Sequence, residues 1–383
     1  MKHKLSLTSL LLAVLVLFTS QTLAEVKFSG YGSIVVGKTF GEIDDPLNPG
    51  QTRDEIFTAD FYDVGQYDND LSFKPETVFA IQARSDLGEG LSVTAQLVAK
   101  GTDDFEPEFD WYYITYKPTD DWTLLAGRRN IPMYYFSEFS EVGYAYPWMR
   151  PPSNLYWWQV TQFNSVQAIY TFDWGDLTNS LNFFYGNEYS DDNKEMLFYD
   201  RLFGGNATRI DEIWTNITGF NWNMSGEMFD LRFVYFRNDR DRDTYNPDGS
   251  ITVADTYDQF FVGLGGVINL DPITLLFDYN YVEYDDVVGT VYPTWLLSAV
   301  YTIGDFQPYI SYSKADHEQD KEPFVTEDLE EHYVLGIGLR YNFHPQAALK
   351  IQYDKFKDQG DAATFYNFHG DAENIAIGVD FIF

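Results

Sequence analysis

The chain has 383 residues, and its 59 acidic and 25 basic side chains give a formal net charge of −34. This excess of acid excludes a general nucleic-acid-binding protein, which needs a basic face to neutralise phosphates. There is no cysteine, so the chain can form neither a disulfide nor a thiolate metal site. Aromatic residues make up 18% of a chain that is hydrophilic on average. This combination fits a membrane barrel with aromatic girdles and a wet lumen.

The N-terminus has the pattern of an export signal. Lys2 and Lys4 form a basic segment, residues 5–18 form an apolar one, and residues 22–24 offer small side chains for cleavage. We predict a signal peptide at residues 1–24, cleaved after Ala24, and a mature domain at residues 25–383. The apolar run is too short for a transmembrane helix, and no later stretch approaches twenty apolar residues. If the mature chain spans a membrane, it is therefore expected to do so with strands.

Alternation of apolar and polar residues predicts about sixteen strands. They begin near Val26, Thr77, Leu91, Glu108, Trp122, Thr161, Leu177, Ile213, Phe229, Tyr257, Ile273, Pro293, Gln307, His332, Ala347 and Glu373. Tight, turn-rich links alternate with long polar ones from start to end. The long links are residues 41–75, 131–160, 187–211, 238–255, 314–331 and 358–371, and residues 101–107 form a short link in a long position.

This alternation predicts an all-β fold, a transmembrane antiparallel up-and-down β-barrel with tight turns on the periplasmic side and long loops outside. An even number of strands places both termini on the periplasmic side. An exported adhesin or soluble β-module, the structural alternative, would have loops of unsystematic length.

The apolar side chains of each strand are expected to face lipid, because a charge at the bilayer midplane costs about 2–4 kcal/mol. This places Arg84, Lys100, Arg340 and Lys350 in the lumen. Arg128 and Arg129 are neighbours of opposite parity, so only one of them can point fully inward. The alternation of their own strand does not decide which.

The last strand, AENIAIGVDFIF, has Ile375, Ile377, Val379, Phe381 and Phe383 on one face. A terminal Phe on the apolar face resembles the C-terminal signature of Gram-negative outer-membrane barrels. The resemblance implies that Phe383 is the assembly signal read by the barrel-assembly machinery.

Three further motifs resemble the Gram-negative general diffusion porins, which are 16-stranded and trimeric. EVKFSGYGSIVVGKTF resembles their first strand, LLAGRRN their fifth, and FNSVQAIY the strand after the constriction loop. The resemblance implies that the third loop, residues 131–160, folds into the barrel and that its acids face a basic wall. Glu138 and Glu141 are the implied loop acids. Arg84, Lys100 and Arg128 are the implied wall residues, with Arg128 favoured over Arg129 as the lumenal one.

The expected function is therefore a water-filled outer-membrane channel for passive diffusion of small hydrophilic solutes and ions, with a preference for cations if the acids dominate. No cofactor or metal is expected. The expected partners are outer-membrane lipid and lipopolysaccharide, and two further copies in a homotrimer. The acidic loops could serve solvation alone, bridge to lipopolysaccharide phosphates through divalent cations, or draw cations to a pore mouth. The short link at residues 101–107 lies where the family has a longer, subunit-latching loop, which is a departure from its pattern.

Two alternatives concern the function. Ten aromatic residues of the third loop could stack on sugar rings and make a sugar-preferring pore, or they could pack the loop onto the barrel wall. A barrel enzyme would need a histidine placed with a nucleophile, and no motif provides one. The segment NDRDRDTYNPDG, from Asn238, is similar to a calcium loop but lacks the glycine at position six and the terminal Glu. We interpret it as an acidic surface loop.

Overall fold

A computed structural model describes residues 25–45, 48–203, 207–253, 256–323, 325–360 and 370–383, so the predicted signal peptide lies outside the described residues. Within them, all sixteen predicted strands are present and form one closed antiparallel barrel. We number them β1 Val26–Thr39, β2 Val78–Gly88, β3 Leu91–Lys100, β4 Glu108–Tyr116, β5 Trp122–Asn130, β6 Gln162–Trp174, β7 Leu177–Ser190, β8 Arg209–Ser225, β9 Phe229–Tyr245, β10 Tyr257–Leu270, β11 Ile273–Tyr284, β12 Thr290–Tyr301, β13 Phe306–Gln319, β14 Thr326–His344, β15 Ala347–Asp358 and β16 Ala372–Ile382.

The barrel closes where β1 meets β16. β1 pairs with β2 through its first half and with β16 through its second half, so neither terminal strand leaves a free edge in lipid. The ring of Phe383 crosses Gly30 on the outer surface. A Cβ at Gly30 would lie against that ring and 2.5 Å from the backbone carbonyl oxygen of Ala80, so this close approach requires a glycine.

The predicted separation of lipid-facing and lumen-facing side chains is confirmed. In β2, Phe79 and Ile81 are exposed on the outside, whereas Ala80 between them is buried. In β16, Ile377 is exposed and Asp380 is buried. Among the described residues, no helix has the length and apolar character needed to cross a bilayer.

Several links are shorter than predicted because the strands continue beyond the apolar band. β9 runs to Tyr245, and only six residues separate β13 from β14. The interpretation of the segment from Asn238 as a loop is therefore wrong for residues 238–245, of which Asn238 pairs with β10 and residues 239–245 pair with β8. Charged residues do not end a strand outside the hydrocarbon layer, because they are solvated there or paired across the ladder, as Arg240 is with Glu212.

Two loops fold into the lumen. Residues 131–161, loop L3, do so as expected. The first loop, L1 (residues 40–77, described except for 46–47), also does so, through a ribbon of Phe57–Asp60 paired with Gly65–Tyr67. The ribbon packs on lumenal side chains of the barrel, including Val334 of β14. A short helix, α1 (Glu195–Phe203), covers part of L1 from above through the ring contact of Phe198 with Phe61. The hydrophobic core of this protein therefore lies inside the barrel.

Candidate pore constriction

The aromatic side chains of L3 pack against the barrel wall. Of the ten that the sequence singled out, five are buried and none is exposed. The buried ones are Tyr134, Phe136, Tyr146, Trp148 and Trp158, which belong to one cluster with wall residues such as Phe163 and Phe261. The interpretation that these rings pack the loop is confirmed for the five buried rings, and the other five are half-buried.

Glu138 holds L3 to β9 rather than to the wall that the sequence suggested. Its two carboxylate oxygens accept hydrogen bonds from Arg232 at 2.6 and 3.0 Å, and Arg232 also donates to the carbonyl of Tyr134 at 2.9 Å. Burial alone would raise the pKa of Glu138, but the guanidinium outweighs it and the pKa is lowered. Glu138 is therefore expected to be ionised and fully engaged.

Arg340 and Arg84 face the lumen as predicted but lie at different depths. Arg340, on β14, donates to the carbonyls of Tyr144 and Tyr146 at 2.7 and 2.9 Å, so it anchors the tip of L3. Arg84 is exposed near the tight-turn end of β2, 3.4 Å from the hydroxyl of Ser92. Arg84 does not belong to the group of charges around L3.

Lys350, on β15, is completely buried beneath L3. Its ammonium donates to the carbonyls of Gly143 and Trp148 at 2.6 and 2.5 Å and lies 2.8 Å from a carboxylate oxygen of Asp380. Like Arg340, it binds the loop backbone instead of presenting a free charge to the lumen.

Lys100 and Glu141 do meet, as the sequence predicted, but L1 joins them. The ammonium of Lys100 lies 3.3 Å from Glu141 on L3 and 2.5 Å from Asp63 on L1, and Lys194 lies 2.7 Å from the other oxygen of Asp63. Burial would raise the pKa of Asp63, yet the two ammonium groups hold it at about 2. For Asp60, burial and the nearby carboxylates of Asp63 and Glu141 raise the pKa to about 7. The three carboxylates of Asp60, Asp63 and Glu141 therefore outnumber the two ammonium groups of Lys100 and Lys194 beside them.

A cavity of about 70 Å³ lies between L1, L3 and the wall formed by β3 to β6. Its charged lining consists of Asp60, Asp110, Glu141, Lys100 and Arg150. A second cavity of about 310 Å³ adjoins it towards the tight-turn end of the barrel and shares Asp110 and Glu141 with it. The two cavities lie side by side next to L3, and we call the smaller one the chamber.

The side chains of Arg128 and Arg129 both have partners inside the barrel. Arg128 donates at 2.9 Å to Gln162, which lines the chamber. Arg128 donates to both oxygens of Glu188 at 2.7 and 2.6 Å. Arg129 instead lies 5.3 and 5.1 Å from the ring centres of Trp111 and Tyr113, which stand opposite buried lumenal residues of β3. The carboxylate of Glu188 pairs with the guanidinium of Arg128, and the guanidinium of Arg129 packs on the rings of Trp111 and Tyr113.

Several charged residues of the candidate constriction were missed from the sequence, and four of them show why. Arg232 could have been found, because it alternates with outward Leu231 and Phe233. Asp60 lies in a loop whose inward folding has no period-two signature, and Arg150 lies in the irregular part of L3. Asp110 sits at a bulge between β3 and β4, where alternation fails.

A family model described as Gram-negative porin matches residues 11–361. Among solved structures, the outer-membrane channel DcaP of Acinetobacter baumannii is similar, with 12% identity, a TM-score of 0.59 and coverage of 96% of this chain and 99% of that one. The anion-selective porin from Comamonas acidovorans has 14% identity, a TM-score of 0.55 and coverage of 94% and 100%. In-vitro folded OmpT of Vibrio cholerae, in its trimer form, has 11% identity, a TM-score of 0.54 and coverage of 94% and 99%. A search of the curated proteins finds no match. At such identities the structural likeness shows the fold alone.

Proposed function

The chain belongs to the Gram-negative porin family, and we propose that it conducts small hydrophilic solutes and ions passively, with a preference for cations. Channel function in the outer membrane follows from the family and the closed barrel. The ion preference is the finer step, and it depends on the side chains of the constriction.

The observation that supports a cation preference is the charge balance of the chamber. Asp60, Asp110 and Glu141 line it against only Lys100 and Arg150, and two donor groups of Arg150 are directed at loop carbonyls. A narrow passage lined by an excess of one sign of charge concentrates counter-ions of the other sign. A similar barrel is described as anion-selective, so the preference must arise from side chains and not from the fold.

The remaining assignments are part of the same proposal. We infer export by the signal peptide at residues 1–24, assembly through Phe383, contact of the acidic loops with lipopolysaccharide, and a homotrimer. A trimer form is described for one protein of the same fold. We interpret the chain as a channel and not an enzyme, since passive diffusion needs no reacting group.

The test is the zero-current potential of the purified mature protein in a planar bilayer under a KCl gradient. We expect the zero-current potential to have the sign given by a channel more permeable to K⁺ than to Cl⁻. For a trimer, we also expect conductance steps that close in threes. An anion preference would contradict the ion selectivity. A folded, heat-modifiable barrel that does not conduct would reject the channel and favour the adhesin or enzyme alternatives.

A further inference from the structure

The chamber has the size of a small molecule. A cavity needs on the order of 10–15 Å³ for each water, so its volume of about 70 Å³ holds roughly five waters. L1 closes it on one side through the ribbon that carries Asp60, and L3 closes it on the other. A solute inside so small a volume exchanges water for the polar groups of the lining, so these groups decide which solutes bind.

One pole of the chamber is cationic and incompletely satisfied. Arg150 is 7% exposed, and it donates to the carbonyls of Glu76 and Glu141 at 2.8 and 3.3 Å. Among the described residues, its Nε–H has no acceptor. An unpaired donor on a buried charged group is costly, and an anionic oxygen entering the chamber would satisfy it.

The other pole is anionic and has unused acceptor capacity. Within the described part of the chain, Asp60 accepts only the backbone N–H of Asp63. Glu141 shares Lys100 with Asp63, at 3.3 Å against 2.5 Å. The raised pKa of Asp60 has the same origin, since burial and neighbouring carboxylates leave it short of positive charge. An ammonium group placed among these carboxylates would supply that charge.

We propose that the chamber is a binding site for small zwitterions of the α-amino-acid class, glycine and alanine in size, with the carboxylate at Arg150 and the ammonium at Asp60 and Glu141. This rests on the proposed channel function and names a class of solute for the same constriction. Poles of opposite sign in so small a volume match a molecule whose two charges are separated by a single carbon atom. A neutral solute of equal size would satisfy neither pole, and the side chain of leucine would exceed the volume.

The experiment measures the K⁺ current of single channels as glycine is added, with glycolamide as the neutral analogue of similar size and leucine as the larger zwitterion. Glycine is expected to reduce the current with saturation, whereas glycolamide and leucine leave it close to its starting value. D60N and R150Q should each raise the half-blocking concentration of glycine at least tenfold. R209Q, which alters an exposed arginine paired with Asp211 far from the chamber, should leave it unchanged.

D60N is the decisive variant, because asparagine keeps an oxygen acceptor for the backbone of Asp63, whereas R150Q also loses contacts between L1 and L3. If glycine and glycolamide act alike, or if glycine blocks D60N at the same concentration as the unmodified protein, the site is refuted while the channel stands. Saturation-transfer NMR of glycine with the detergent-solubilised protein detects glycine binding independently of conduction. If the barrel does not conduct but shows a saturation-transfer signal that D60N abolishes, the channel is rejected and the site stands. If glycine gives no transfer signal, the site is rejected.

Discussion

Replacing Lys350 tests whether L3 is held by buried charge. In Lys350→Met, the carbonyls of Gly143 and Trp148 lose their shared donor. Among the described residues, Asp380 then keeps only the hydroxyl of Ser33 at 2.5 Å. Removing one member of a fully buried ion pair costs about 3–5 kcal/mol, because the remaining charge is left uncompensated. We expect a loss of unfolding free energy of this size, measured by guanidinium titration in detergent micelles. The freed tip of L3 should also increase the noise of single-channel currents.

The chain provides a matched control in the next lysine of the same strand. Lys355 lies on the outward-facing parity of β15 and pairs with Glu373 at 2.9 Å, with both side chains substantially exposed. Lys355→Met should therefore leave stability close to that of the unmodified protein. Lys350→Met combined with Asp380→Asn should lose less than Lys350→Met alone, since no buried charge is then left unpaired. Equal effects of the two lysine replacements would refute the role of Lys350 as an anchor.

Two further predictions concern the pore. Because the pKa of Asp60 is about 7, its carboxyl is protonated below that pH and charged above it, so cation preference should rise between pH 6 and pH 8. Zero-current potentials across this range should show the rise, and Asp60→Asn should flatten it; a rise that persists in the variant would assign it to another group. Arg129→Gln should increase cation preference, whereas Arg128→Gln should chiefly destabilise the barrel by leaving Glu188 unpaired. The reverse outcome in potential and denaturation measurements would make Arg128, and not Arg129, the arginine that acts on the pore.

The barrel could be predicted from the sequence because its rule is local. Lipid on one side and water on the other impose alternation on every strand, and the cost of a misplaced charge makes the pattern strict. For that reason even the lumenal placement of Lys100, Arg340 and Lys350 was correct. The rule fails where the backbone departs from regular pairing, as at the bulge beside Asp110, and where neighbouring charges of opposite parity compete, as at Arg128 and Arg129.

The partners of those charges could not be predicted, because they depend on loops that have no period. Parity places Lys100 and Lys350 in the same lumen. Lys100 pairs with Glu141, which lines the chamber, whereas Lys350 is buried beneath L3. The inward folding of L1 brings Asp60 and Asp63 to Lys100 across about forty residues of sequence, and alternation in β3 contains no trace of it.

The two inward loops explain how one barrel architecture can serve different solutes. Most lumenal charges near L3 are used to fix the loop, as Arg232, Arg340 and Lys350 show, and a fixed charge that is already paired contributes little to the field in the pore. Selectivity is then left to the few groups with unused capacity, which here are Asp60, Glu141 and the Nε–H of Arg150. Because all three belong to loops whose sequence can change without disturbing the barrel, substitutions at Asp60 and Arg150 should alter which solutes pass before they alter whether the barrel folds.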